Sequence, residues 1–350
     1  MHKKQKYILA MIKIIAIFVV IFCLTSCGKI KENKKEAEVC LHSLEMIRQE
    51  TLTHVTRRNT SEDKELYIDA DVEIGELSNL SEVNLSVDEE KAQAFIDDLI
   101  ISRYPKACEQ MNLDGEKSWD YFENGQTLIL CSLSDTGSFS YLDVPCNLNS
   151  PYLDGEHVFE YGYITQLRPP EIMQSAEEVA QEAKLLLESY SCFDYRVWNV
   201  LAGDKPFSDA ISGCYYLSMQ PVYKGIPISV KGTSSLSTAA VFSKEGIFQI
   251  QGIFTLQEVK TKEIEQIVSL DFVLEKLEKD FAVFSEGDKI RVKRIALEYV
   301  AEQGENDSYQ LIPVWTFECV DSRMEQMQEM TLRYSYMYSA ENGKFYGLYY

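Results

Sequence analysis

The sequence lacks the compact signatures that mark most enzyme active sites. It has no Gly-x-Ser-x-Gly elbow, no His-Glu-x-x-His helix and no glycine-rich loop of the kind that cradles phosphate. Histidine is scarce, with four in 350 residues. No two cysteines stand two residues apart, which removes the spacing of a structural zinc site or a dithiol redox motif. Positive charge is also short: 34 Lys and Arg face 55 Asp and Glu, a formal charge of −21. Such a surface repels phosphate backbones, so no nucleic-acid partner is expected. No catalytic residue, metal ligand set or cofactor is assigned. Ser61 and Lys64 match Ser-x-x-Lys, yet in the polar run Ser61-Glu62-Asp63-Lys64 chance accounts for the spacing. An envelope hydrolase built on His157 or on paired carboxylates stays open, because spacing along a chain says nothing of separation in space.

What the chain does have begins at its first residues. Lys3, Lys4 and Lys6 precede an apolar run from Ile14 to Leu24, 11 residues long. A spanning helix needs about 20, so the run reads as the h-region of a signal peptide. Leu24-Thr25-Ser26-Cys27 resembles the lipobox of bacterial lipoproteins. That resemblance implies cleavage after Ser26, a diacylglyceryl group on Cys27 and residence on the outer face of the cell membrane, with the lipid bilayer as a partner. An ordinary signal peptide with a chance cysteine is the alternative. Residues 1–26 take four lysines and no acid with them, which leaves 324 residues of formal charge −25. Lys29, Lys31, Lys34 and Lys35 against Glu32 then place a local charge of +3 beside anionic headgroups.

Composition and periodicity divide the remainder. Residues 27–64 read as a linker with a short helix over 39–50 and a loose polar stretch over 51–64. Ile68, Ala70, Val72 and Ile74 alternate with Asp69, Asp71 and Glu73, the period of a half-buried strand. The acids superficially resemble a calcium loop, but position six would be Ile74 and position twelve Leu80. Amphipathic helices are expected near 88, 175 and 269, each followed by several strands. Ser86 with Glu89 and Ser175 with Glu178 stand at capping-box spacing. Asn342-Gly343 predicts a hairpin. Pro169-Pro170 marks the expected boundary between a domain at 65–168 and one at 171–350, the latter made of units 171–260 and 261–350. Strands this closely spaced leave no room for helical crossovers, so the fold class is α+β, with antiparallel sheets each packed by one or two amphipathic helices.

Two surfaces stand out. Lys289, Arg291 and Lys293 share one face of a strand on an acidic chain. The row reads either as a docking patch for an acidic partner or phosphate-bearing polymer, or as an edge strand that discourages self-pairing. Residues 309–350 hold ten aromatic residues in 42, about twice the chain average of 11%. Among them Tyr334, Tyr336 and Tyr338 alternate and share a face, either as a peptide- or glycan-binding platform or as packing beneath a helix. Cys40, Cys108, Cys131, Cys146, Cys192, Cys214 and Cys319 remain after the signal and Cys27 are set aside. Cys131 and Cys146 bracket a hairpin and are a candidate bridge, though buried thiols explain them as well.

Ile295-Ala296-Leu297-Glu298-Tyr299 and Gln310-Leu311-Ile312-Pro313-Val314-Trp315-Thr316-Phe317, with Tyr67-Ile68-Asp69-Ala70-Asp71-Val72 and Gly225-Ile226-Pro227-Ile228, resemble a family of uncharacterised lipoproteins of clostridial Firmicutes. More distantly, Pro313-Val314-Trp315 followed by Tyr338-Ser339-Ala340-Glu341-Asn342-Gly343-Lys344 is similar to the last hairpin of PepSY-like domains and of YycH/YycI-type extracytoplasmic regulators. The resemblance implies a tethered module that works through contacts with an envelope protein or peptide. It carries over no functional residue, and those regulators are held by a transmembrane helix rather than a lipid. The function expected is therefore non-catalytic binding or regulation in the cell envelope, with capture of a solute or cell-wall fragment as the alternative.

Overall fold

A computed structural model describes residues 41–61, 64–101, 109–113, 116–123, 126–143, 163–169, 172–203, 213–231, 235–244, 246–281, 289–304, 308–321 and 333–349. The signal segment, Cys27, Cys40, Cys108, Cys146 and His157 lie outside these residues, and the Cys131–Cys146 bridge with them.

In chain order the elements are β1 (Leu41–Ser43), α1 (Leu44–Glu50), β2 (His54–Ser61), β3 (Lys64–Ile74), β4 (Ser81–Val87), α2 (Glu89–Ile96), β5 (Glu109–Leu113), β6 (Glu116–Glu123), β7 (Gln126–Leu133), β8 (Ser138–Asp143), β9 (Tyr163–Ile164), α3 (Ala176–Tyr190), β10 (Asp194–Gly203), β11 (Cys214–Tyr223), β12 (Ile226–Pro227), β13 (Thr238–Ser243), β14 (Gly246–Ile253), β15 (Leu256–Glu263), β16 (Gln266–Val268), α4 (Leu270–Phe281), β17 (Lys289–Gln303), β18 (Ser308–Asp321), β19 (Arg333–Ser339) and β20 (Phe345–Tyr349). A 3₁₀ turn, Leu77–Asn79, precedes β4, and a π-helical turn, Asp97–Ile101, extends α2.

Among the described residues the fold is mostly β, with four α-helices on mixed, largely antiparallel sheets. One sheet runs β5-β6-β7-β8-β14-β13-β11-β10-β9, with β12 beside β11. A second runs β15-β4-β18-β17-β3-β2, and β18 also carries β19, which carries β20. β1 pairs with β16. Among the described strands two pairings are parallel, β3 with β17 and β9 with β10.

This topology corrects the expected domain boundary. β4 lies between β15 and β18, β3 beside β17, and β8 beside β14, so strands from either side of Pro169-Pro170 share both sheets. Residues Cys40–Tyr350 form one compact unit. The loose stretch expected over 51–64 is corrected as well. It holds β2, paired with β3 from His54↔Asp71 to Ser61↔Lys64, which places Ser-x-x-Lys across a hairpin end.

Local chemistry explains the helices. Ser175 accepts from the Glu178 amide at 3.2 Å while Glu178 accepts from the Ser175 amide at 2.7 Å, the reciprocal capping box. For α2 the cap is Asp88 rather than Ser86: its Oδ1 accepts from the Lys91 amide at 3.0 Å. Ser43 caps α1. The stripe Val179, Ala180, Ala183 and Leu187 buries α3 against β10 and β11. Between α2, β8, α3 and the β14–β15 connection, Phe95 meets Phe139 at 5.1 Å, Phe254 at 4.8 Å and Tyr190 at 5.1 Å, all edge-to-face. Such a cluster welds elements that are distant in sequence, each ring adding about 0.5–1.5 kcal/mol per contact beyond its buried area.

Candidate functional site

The three tyrosines of β19 do not form an exposed platform. Tyr334, Tyr336 and Tyr338 are 9%, 5% and 0% exposed. They alternate on one face, as their spacing predicts, and that face lies under α4. Tyr338 Oη donates to Asp280 Oδ2 on the helix at 2.9 Å. Opposite Tyr338 on β18, Trp315 is fully buried and its Nε1 donates to the Val268 carbonyl at 3.1 Å. The rings are packing.

The cationic row is corrected in part. β17 is an interior strand between β3 and β18, so the row guards no edge. A bulge at Lys293 shifts the register between Val292 and Arg294. Lys289 and Lys293 are exposed, Arg291 is half-buried over the Tyr67 ring at 5.2 Å, and all three are engaged with neighbours. Asp69 and Asp71, the would-be calcium ligands, flank His54 instead, at 3.1 Å from its Nε2 and 2.8 Å from its Nδ1. Asp71 first and then Asp69 raise the His54 pKa above its ordinary value. Among the described residues, no group of three or more His, Cys, Asp and Glu converges to hold a metal ion.

Beyond the bulge, β17 turns Arg294 and Glu298 to the face opposite α4, where both are buried. Arg294 Nη2 donates to Glu298 Oε1 at 2.7 Å and to Glu73 Oε2 at 2.8 Å. Arg196 of β10 reaches the same two carboxylates at 3.8 Å and 3.4 Å. Gln220 bridges onward to the Ile228 carbonyl at 2.8 Å, where Ile228 forms an isolated bridge to Tyr299. Burial works against the ionised form of Glu73, but Arg294 and then Arg196 outweigh it and hold its carboxyl below the usual range. This network stitches the two large sheets together. Nothing in the local sequence pattern marks it, since each member looks like a surface charge.

A carboxylate pair does occur. Glu82 of β4 and Glu341 in the β19–β20 turn are hydrogen-bonded to each other, which holds the Glu82 carboxyl below its ordinary value and the Glu341 carboxyl above it. Lys262 Nζ sits 3.1 Å from Glu82 Oε1. The pair tethers the hairpin turn to β4.

Two features present themselves to solvent. The first is β20, Phe-Tyr-Gly-Leu-Tyr, which pairs with β19 alone among the described strands. The other outer strands of this sheet are charged: Arg57 and Arg58 on β2, and Glu258, Lys260, Lys262 and Glu263 on β15. β20 has no charge, and Phe345 and Leu348 are 52% and 37% exposed. Phe345 leans on Tyr338 at 5.5 Å.

The second is a cleft of about 540 Å³ where the β11–β12 turn meets the ends of β4 and β15. Leu44, Leu80 and Ile264 supply its apolar lining. Its lip is held by Glu258, which accepts from Tyr223, Thr261 and, at 3.2 Å, Lys224. Thr261 and then Tyr223 hold the Glu258 carboxyl below its usual range, against burial. Sequence reading missed this cleft because it gathers four separate segments, with only the punctuation at Gly225 and Pro227 as a local signal.

Among the described residues, no helix is long and apolar enough to cross a membrane. No protein-family model matches the sequence, and no curated protein matches it. Among solved structures, the chain is similar to an uncharacterised protein from Eubacterium rectale ATCC 33656, at 16% identity and a TM-score of 0.60, over 85% of this chain and 94% of that one. At that identity the similarity shows a shared fold and brings with it no catalytic family or enzyme name.

Proposed function

We propose that this chain is a lipid-anchored module on the outer face of the cell membrane that acts by non-catalytic binding or regulation. Its contact with an envelope protein or peptide runs along β20, an outer strand of the sheet that β17 and β18 centre. The observation that carries this reading is the absence of charge on that one edge, beside two outer strands that are charged. An unguarded edge invites an added strand, whose main-chain hydrogen bonds give affinity and whose alternate side chains give specificity. Phe345 and Leu348 supply exposed apolar side chains for that strand's own side chains to pack against. The mature chain's formal charge of −25 selects a partner segment that intersperses Lys or Arg with apolar residues. The tether rests on Leu24-Thr25-Ser26-Cys27.

Two measurements test the reading. Mass spectrometry of the mature amino terminus finds an acylated Cys27; an unmodified start elsewhere removes the tether. Isolation from crosslinked membranes recovers the same partner with the wild-type chain and loses it with Leu348→Lys. Equal recovery with both chains removes β20 as the contact.

A further inference from the structure

The cleft beside β15 is separate from β20, and its lining has a chemistry of its own. Its volume, about 540 Å³, falls in the range of about 300–1,000 Å³ that small-molecule sites occupy. Around the apolar floor stand one ammonium, Lys224, two carboxylates, Glu263 and Glu265, and the hydroxyls of Ser78, Ser81 and Thr261. Opposite charges therefore flank an apolar strip.

Lys224 is set in place at a conformational cost. The two-residue turn Lys224-Gly225 has φ of 47° and 86°, and it joins Tyr223 to Ile226 across the hairpin. A turn with both angles positive favours Asn or Asp at its first position, and lysine there costs about 1 kcal/mol. The turn packs directly on Gly75, where an added Cβ would lie 2.3 Å from the Gly225 carbonyl, and that carbonyl accepts from the Glu76 amide at 3.4 Å. Glu258 and the Tyr223 ring, 4.8 Å from Nζ, then fix the ammonium at the cleft lip. A lysine held this way in a strained turn presents a preorganised cation, which lowers the entropic cost of pairing with an anion.

From this arrangement we infer that the cleft binds a short peptide of two or three residues with free termini. Its carboxylate pairs with Lys224, its amino group with Glu263 and Glu265, and its side chains lie over Leu44, Leu80 and Ile264. A phosphate-bearing ligand meets two carboxylates for each ammonium and is disfavoured. A neutral sugar leaves those charges unmatched.

The test uses the full chain in detergent micelles, titrated calorimetrically with dialanine and trialanine and with their N-acetyl and C-amide forms. Free peptides bind with Kd between about 1 μM and 1 mM, and blocking either terminus weakens binding about tenfold or more. Lys224→Met weakens free dialanine about tenfold and leaves the C-amide form unchanged; Glu263→Gln with Glu265→Gln does the same for the amino end, leaving the N-acetyl form unchanged. No heat or shift with either free peptide up to about 10 mM overturns the inference, as does equal binding of free and blocked forms. Thermal melting of each variant, unchanged from wild type, confirms the fold. Leu348→Lys leaves peptide binding intact, so this site and the β20 contact stand or fall apart.

Discussion

β19 and β20 are two strands of one hairpin, both rich in rings, and the sheet treats them in opposite ways. β19 is buried on both faces, with Tyr336 and Tyr338 toward α4 and Ser335 and Met337, each 0% exposed, away from it. β20 leaves Phe345 and Leu348 in solvent and carries no charge. Aromatic density therefore does not distinguish packing from presentation. Position within the sheet does: a ring on a strand flanked on both sides is core, and the same ring one strand further out is available to a partner.

Mutations sharpen this contrast in descending order of effect on stability. Tyr338→Ala removes a fully buried ring and destabilises by about 4 kcal/mol, read as a shift in the urea midpoint. Arg294→Met leaves Glu298, 1% exposed, without its nearest cation. Arg196 remains 3.8 Å away, so the cost is about 3 kcal/mol, at the low end for a broken buried pair. The pH dependence follows from the lowered Glu73 carboxyl. Its contribution is complete above the ordinary value of 4.5 and is lost as pH falls below it through the folded value, because the unfolded state then binds the proton more readily. Urea midpoints of wild type therefore fall between pH 5 and 3 more steeply than those of Glu73→Gln. Tyr338→Phe keeps the ring, loses the Asp280 bond and costs about 1 kcal/mol. Leu348→Lys shifts stability by less than about 0.5 kcal/mol while abolishing partner recovery. A Leu348→Lys variant that unfolds as readily as Tyr338→Ala breaks the comparison.

Much of the fold is legible in the sequence where the signal is local. Ser175 and Glu178 announce α3, Asn342-Gly343 the last hairpin, and the apolar stripe of Leu270, Val273, Leu274 and Leu277 announces α4. What is not legible depends on pairings between distant residues. Leu66 lies beside Ile290 in a parallel pair, and Val83 beside both Thr261 and Leu311. Those pairings erase the boundary at Pro169-Pro170 and make an interior strand of one that looked like an edge. The same distance hides the sites. Glu73 alternates like any solvated acid until Arg294 and Arg196 arrive from other strands. The cleft assembles from Leu44, Leu80, Lys224 and Ile264, which no window of sequence contains together. The tyrosine alternation gives the shared face, but only the position of α4 decides that the face is covered.

The claim that β20 is the docking edge is tested most directly by a photo-crosslinking residue placed at position 348, irradiated in intact cells beside the same residue at position 185. Leu185, on α3, is 58% exposed and so at least as accessible as Leu348. Position 348 is predicted to give a discrete adduct with one envelope protein, through a segment that mixes basic and apolar residues, while position 185 gives none. No adduct at position 348, or the same adduct from both positions, contradicts the account.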